Sequence, residues 1–430
     1  MAHHITPAAR PPLKPLDLAL AELLAQALPL VGEERVSTFE ADGRVLAQDL
    51  VAAIDVPAHD NSAMDGYALR SADWLNAGTA LRVNQRIAAG SSGQALGAMC
   101  AARIFTGAPL PPGADAVVMQ EDCTVTAAVG AELPDGPPTL SLQTQPQPGQ
   151  WIRRRGEDIA AGRVVLQRGQ RLSPAELGLA ASMGFSALQV ARPVRVALFS
   201  TGDELVMPGD VAPTDMRPGA IYNSNRFFLR AMLLRLGCTV TDLGIVPDQL
   251  SATQAALRSA AQQHDLIVTS GGVSVGEEDH IKPAVQALGS LHLWQIAMKP
   301  GKPFAYGTVN QTGQSAGRTH FIGLPGNPVS SFVTFMLLVR PFVLSLQGAR
   351  SVAPQSLTVR ADFTQPTSDR RREFLRVKRN ANGGLDLFNN QSSGVLTSAV
   401  WGDGLVDNPA GHVIVAGEMV QYLPFSDLLR

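Results

Sequence analysis

The spacing of apolar positions changes several times along this chain, and each change predicts a different architecture. Residues 16–28, beginning Leu16-Asp17-Leu18-Ala19-Leu20, place apolar side chains at helical spacing between Pro15 and Pro29, which predicts an amphipathic helix. Residues 36–39 then read as a strand and residues 43–47 as a helical turn. From about 53 to 150 short β-prone runs, such as Ala80-Leu81-Arg82-Val83 and Ala116-Val117-Val118-Met119, alternate with Pro and Gly, the texture of a small β domain. Residues 133–138 read as a loop and 143–150 as a Gln/Pro-rich connector. Helical character returns over 151–190, where Ser173-Pro174-Ala175-Glu176 carries an N-cap, a proline at N1 and an acid at N3.

Between 193 and 345 apolar strands (194–199, 238–243, 265–269) alternate with helices near 224–236 and 251–263, which predicts a parallel sheet covered on both faces. The last stretch, 346–430, is β-rich again, with strands expected at 374–378 and 413–416 in a separate barrel or sandwich. The expected class is therefore α/β plus β, in several domains.

A length of 430 residues exceeds what one core supports, and 45% apolar residues suit packed globular domains. A net charge of −2 argues against a nucleic-acid-binding surface as the main activity. Cys100, Cys123 and Cys238 have neither disulfide-framework nor zinc spacing, so a reducing cytoplasm is the expected setting. No apolar run reaches the roughly 18 residues of a membrane span, and the start of the chain lacks the pattern of a signal peptide.

The run Thr269-Ser270-Gly271-Gly272-Val273-Ser274-Val275-Gly276-Glu277-Glu278-Asp279 carries the most chemistry. Its glycines allow close backbone approach, its hydroxyls and N–H groups favour an anion, and the acids beside it call for a cation or proton between them and that anion. Ser200-Thr201-Gly202-Asp203-Glu204 ends another strand, and open α/β sheets bind ligands beyond the carboxyl ends of their strands. Gly323-Leu324-Pro325-Gly326-Asn327-Pro328-Val329-Ser330 leads into an apolar helix that Asn327 can cap, with Pro328 at N1. Met298-Lys299-Pro300-Gly301-Lys302-Pro303 could turn two lysines toward a phosphate or oxyanion, or form a solvated turn. Asn61-Ser62-Ala63-Met64-Asp65-Gly66 reads as a turn presenting a carboxylate, and Arg153-Arg154-Arg155-Gly156-Glu157-Asp158 as a solvated charged face. Together these suit a flat phosphorylated ligand, Mg²⁺ at isolated carboxylates, and cleavage or formation of a phosphate linkage.

In this order, these motifs resemble the molybdopterin molybdenumtransferase family, which is similar also to the carboxy-terminal domain of gephyrin. The resemblance runs from about residue 15 to the end. It implies an elongated homodimer of four-domain subunits: domain I (15–52 and 152–190), an inserted β domain II (53–151), a molybdopterin-binding α/β domain III (191–345) and a β-barrel domain IV (346–430). The implied reaction takes adenylylated molybdopterin and molybdate, cleaves the phosphoanhydride with Mg²⁺, releases AMP and leaves molybdenum on the dithiolene. A molybdopterin adenylyltransferase or a non-catalytic molybdopterin carrier is the alternative.

By the same resemblance Asp65, Asp158, Asp248, Asp279, Lys299 and Lys302 form the catalytic set, and Asp65, Glu204 and Asp279 the metal set. The pterin would meet Thr106, the first glycine loop through Ser270, Gly271, Gly272, Ser274 and Gly276, and the second through Pro325, Gly326, Asn327, Pro328 and Ser330. In the family the cleft lies between one subunit's α/β domain and its partner's first two domains. Molybdopterin adenylyltransferase and recipient apo-molybdoenzymes stay open as further partners; nucleic acid and membrane are not expected. Two departures stand out: Gln295 follows Trp294 where some members carry lysine, and His280 stands where tyrosine is usual.

Overall fold

Strands buried on both faces are mostly apolar, and Arg195–Thr201 and Leu266–Ser270 at the centre of the main sheet fit that pattern, buried at every position but Arg195. The computed structural model describes residues 13–30, 32–126, 137–273, 280–312 and 317–429. The central sheet comprises β1 (Arg195–Thr201), β2 (Thr239–Val246), β3 (Leu266–Ser270), β4 (Gly289–Gln295), β5 (Pro303–Asn310) and β6 (Arg318–Leu324), in the order β2-β1-β3-β6-β5-β4. The four strands β2, β1, β3 and β6 run parallel, whereas β5 and β4 run antiparallel at one edge. Alternate side chains separate cleanly. Leu198, Val268 and Ile322 join the core on one face, and Ala197, Phe199, Ile267 and Phe321 join that on the other.

Helices α1 (Leu16–Leu24), α2 (Asn225–Arg235) and α5 (Pro328–Leu346) contribute to the first face, and α3 (Leu250–Gln263) and α4 (Ile281–Leu288) to the second. Helix α1 is shorter than the pattern predicts, and its residues Leu16, Ala19 and Leu23 are buried in the α/β core rather than among the residues of 15–52. Helix α5, of 19 residues, is long and apolar enough to cross a membrane by length and average composition, although Ser330, Ser331, Thr334 and Arg340 keep it from being an unbroken apolar run. Nearly all of it is buried as the core helix of the fold.

Three smaller cores surround this one. Strand pairs Glu33–Ser37 with Ala187–Ala191 and Leu50–Val51 with Val164–Leu166 enclose Leu46, Leu50, Leu166 and Leu188. Beside them, helix Pro174–Ser182 starts in the predicted capping box, where the Ser173 N–H donates to Glu176 at 2.9 Å. Residues 43–47 do not form a helical turn: Val45 and Leu46 make bridges to Arg171 and Val190, tertiary pairing that overrides local preference. A six-stranded sheet over 66–142 has two core faces, around Leu69 and Val118 on one side and Ile104 and Val117 on the other. Residues 143–150 connect this unit back as expected; of the 133–138 loop, residues 133–136 lie outside the described residues.

The C-terminal sheet is ordered Met298–Lys299, Arg372–Arg379, Gly404–Asn408, Met419–Pro424, Leu357–Arg360, with Leu385–Leu387 on the second strand. The expected strand at 413–416 is only a bridge at Ile414, and the strand lies at Met419–Pro424 instead. Met298–Lys299 belongs to the chain between β4 and β5, so this sheet is joined edgewise to the α/β unit.

Candidate active site

The parallel strands β1, β3 and β6 end together, and their following turns enclose a cavity of about 560 Å³. Its walls bring together Thr201, Gly202 and Glu204 after β1, Asp248 after β2, Ser270 to Val273 after β3, and Pro325 to Pro328 with Ser330 after β6. Three predicted motifs and Asp248 therefore meet at the carboxyl ends of one sheet. Ser274, Gly276 and Asp279 lie outside the described residues.

The glycines have specific reasons. Gly271 has φ +95°, and a Cβ there would stand 2.9 Å from the Thr201 carbonyl oxygen, so a side chain is excluded by both backbone and space. Gly202, at φ +142°, lies under the Glu204 carboxylate, whose Oε2 would be 2.6 Å from an added Cβ.

Asn225, in the first turn of α2, ties the two glycine loops. Its Nδ2 donates to Ser270 Oγ and to the Gly326 carbonyl, both at 2.7 Å. Sequence reading missed this residue, as it missed Ile221 in the same wall. The available signal was Asn225 opening a helix beside a strand-end site, too common a pattern to stand out. Asn327 occupies the N-cap position of α5 and Pro328 follows at N1, but the Asn327 side chain makes no capping hydrogen bond. The Val329 N–H instead donates to the Ser393 carbonyl of the C-terminal unit at 2.9 Å.

The lysine turn faces elsewhere. Lys299 Nζ donates to Glu373 Oε1 at 2.9 Å and lies 3.3 Å from Asp369 Oδ2, so its charge is held by two carboxylates. Burial lowers the Lys299 pKa, but hydrogen bonding and attraction from these acids leave it raised overall. Lys302 lines a second cavity, of about 500 Å³, with Leu13, Ser368, Asp369, Arg370 and Arg371. Three cations around one open space suit an oxyanion.

Asp65 and Asp158 form a third group. Strand Asn61–Ser62 pairs antiparallel with Ile152–Arg153, and two ion pairs, Arg154 with Asp60 (2.8 Å) and Arg155 with Asp55 (2.6 Å), bind the flanking segments. Motifs about ninety residues apart thus become neighbours. The basic run is therefore a clamp as well as a charged face. Asp65 Oδ1 accepts from the Thr106 N–H and hydroxyl, both at 2.8 Å, and these bonds hold its carboxyl below the usual range. Asp65, Thr106 and Asp158 are exposed and do not line the sheet-end cavity of their own chain. Among the described residues no three His, Cys, Asp or Glu side chains gather as a metal cage.

Three family models match the chain: "MoeA N-terminal region (domain I and II)" over 14–184, "Probable molybdopterin binding domain" over 197–345 and "MoeA C-terminal region (domain IV)" over 358–425. A molybdopterin molybdenumtransferase of Haemophilus influenzae is 41% identical over 336 residues, 78% of each chain. Molybdopterin molybdenumtransferase 2 of Mycobacterium tuberculosis is 36% identical over 94% of this chain and 96% of its own. Among solved structures, a molybdopterin biosynthesis moeA protein from Pyrococcus horikoshii OT3 superposes with a TM-score of 0.79 at 26% identity, covering 96% of this chain and all of the other. The chain belongs to the molybdopterin molybdenumtransferase family of transferases.

Proposed function

We propose that this chain transfers molybdenum from molybdate to adenylylated molybdopterin, cleaving the phosphoanhydride and releasing AMP. The observation that carries the reading is the cavity where two glycine loops, joined by Asn225, face the carboxylates of Glu204 and Asp248. Exposed loop N–H groups and small side chains receive the flat pterin and its phosphate. Glu204 and Asp248, which line the same cavity, fit Mg²⁺, which binds through one or two protein acids plus substrate phosphates and needs no third protein ligand. Bound there, the cation would offset the charge of the phosphoanhydride during cleavage. Lys302, Arg370 and Arg371 hold the molybdate oxyanion at the neighbouring cavity.

In the homodimer, the Asp65–Thr106 and Asp158 surface of one subunit completes the cleft of the other. The division into four domains belongs to the same reading, with α1, expected in domain I, packed in the core of the α/β unit. The bridge between Ala361 and Leu385 favours closure of the C-terminal sheet into a barrel. The cytoplasm, where reduced thiols persist, is the setting in which Cys100, Cys123 and Cys238 stay free.

The test is direct. Purified protein given adenylylated molybdopterin, molybdate and Mg²⁺ should release AMP and yield molybdenum cofactor in equal amounts. AMP release without cofactor, or neither product, overturns the reading.

A further inference from the structure

We infer that Glu373 is a positioning residue for the oxyanion cavity, an assignment that rests on the function proposed above. Lys299 and Glu373 sit opposite each other where Met298–Lys299 pairs in parallel with Arg372–Glu373, the seam between the α/β and C-terminal units. The Glu373 side chain is 2% exposed, against 41% for Lys299. A buried carboxylate is tolerated only when it is neutralised and hydrogen-bonded. Lys299 supplies the charge at 2.9 Å, and Asn408 Nδ2 lies 3.4 Å from the other oxygen.

The pair fixes the start of the turn that carries Lys302. The other side of that turn is fixed by space: Gly301, at φ +107°, lies so close to helix α5 that a Cβ would overlap the Thr334 hydroxyl. With both sides held, Lys302 lines one cavity with Arg370 and Arg371, which lead into the strand that carries Glu373. Asp369 also pairs with Arg371 at 2.8 Å, so the acidic pair engages Lys299 and Arg371, and Arg371 lines the cavity together with Lys302 and Arg370. Lys299 therefore acts through the turn it anchors, and Glu373 decides where that turn lies.

Glu373→Gln keeps the shape and removes the charge. In the full-length protein we expect the KM for molybdate to rise about tenfold, with turnover at saturating molybdate and the Kd for adenylylated molybdopterin within about twofold of the parent. Titration with molybdate alone should weaken in parallel. Lys299→Gln should raise the molybdate KM by a similar factor, and the double variant should raise it no further than either single one. A folded Glu373→Gln with unchanged molybdate KM overturns the proposal, as does an equal loss across both substrates. If Glu373→Gln fails to fold, Lys299→Gln decides by the same criteria. Lys302→Ala separates the two readings: an unchanged molybdate KM there refutes the oxyanion site itself, whereas a raised KM there with an unaffected Glu373→Gln refutes only the positioning role.

Discussion

Asn225 uses both amide hydrogens on other loops, so its contribution is felt at two walls of the cavity at once. In Asn225→Ala the buried Ser270 hydroxyl and the Gly326 carbonyl lose their shared donor, a cost of about 1–3 kcal/mol. We expect the Kd for adenylylated molybdopterin to rise about tenfold, read by titration; an unchanged Kd would make Asn225 a bystander. Asp65 offers a test of sign. The Thr106 N–H and hydroxyl together hold its carboxyl below the ordinary value, with the N–H the larger influence. Thr106→Val removes only the hydroxyl, so the pKa should rise part of the way back. If ionised Asp65 serves the reaction, the acid limb of the pH–rate profile moves to higher pH with it. NMR titration of the carboxyl carbon gives the first shift and kinetics the second; a pKa that moves while the limb stays put removes Asp65 from the chemistry.

At the scale of elements, Asp265 shows how the sheet is held at the end remote from the site. It immediately precedes β3 and receives Arg192 (2.7 Å) from the chain entering β1 and Arg195 (2.9 Å) from the first residue of β1. Burial pushes the Asp265 carboxyl up, but the arginine hydrogen bonds more than offset this and leave it well below the usual range. A depressed folded pKa stabilises above the unfolded value of about 3.9 and is lost as pH falls through the folded value. Asp265→Asn should therefore cost about 2 kcal/mol at neutral pH, discounted because both arginines are partly exposed. In urea unfolding the gap to the parent should narrow only below about pH 4, while pterin affinity is spared. Strands β1 and β3 were legible because two-sided burial makes them mostly apolar, and helices α2 and α3 because they keep their period, while the parallel strand β6 and helix α4 went unread. The antiparallel edge was not legible either, since β4 and β5 are set by pairing partners rather than by local pattern. The site divides similarly: the glycine loops announced themselves by composition and most of the acids only through the family resemblance, whereas Asn225 and Glu373 matter through contacts made across 45 and 74 residues of sequence.

At the scale of the whole molecule, the proposed cleft needs two chains, because Asp65 does not line the cavity that holds Glu204 within one chain. That arrangement makes an arithmetic prediction. Asp65→Asn and Glu204→Gln should each be nearly inactive as pure homodimers, since every cleft lacks one acid. Mixed in equal amounts, dissociated and allowed to reassociate, half of the dimers carry one chain of each kind. In such a dimer one cleft takes its Glu204 from the Asp65→Asn chain and its Asp65 from the Glu204→Gln chain, so it is intact. The other cleft lacks both acids. With one cleft in two restored in half of the dimers, AMP release should recover to about a quarter of the parent rate. If instead each cleft is built from a single chain, every cleft in the mixture still carries one substitution and no activity returns. Recovery would therefore place Asp65 and Glu204 on opposite sides of a subunit boundary, and its absence in dimers known to have exchanged would place both acids in one chain.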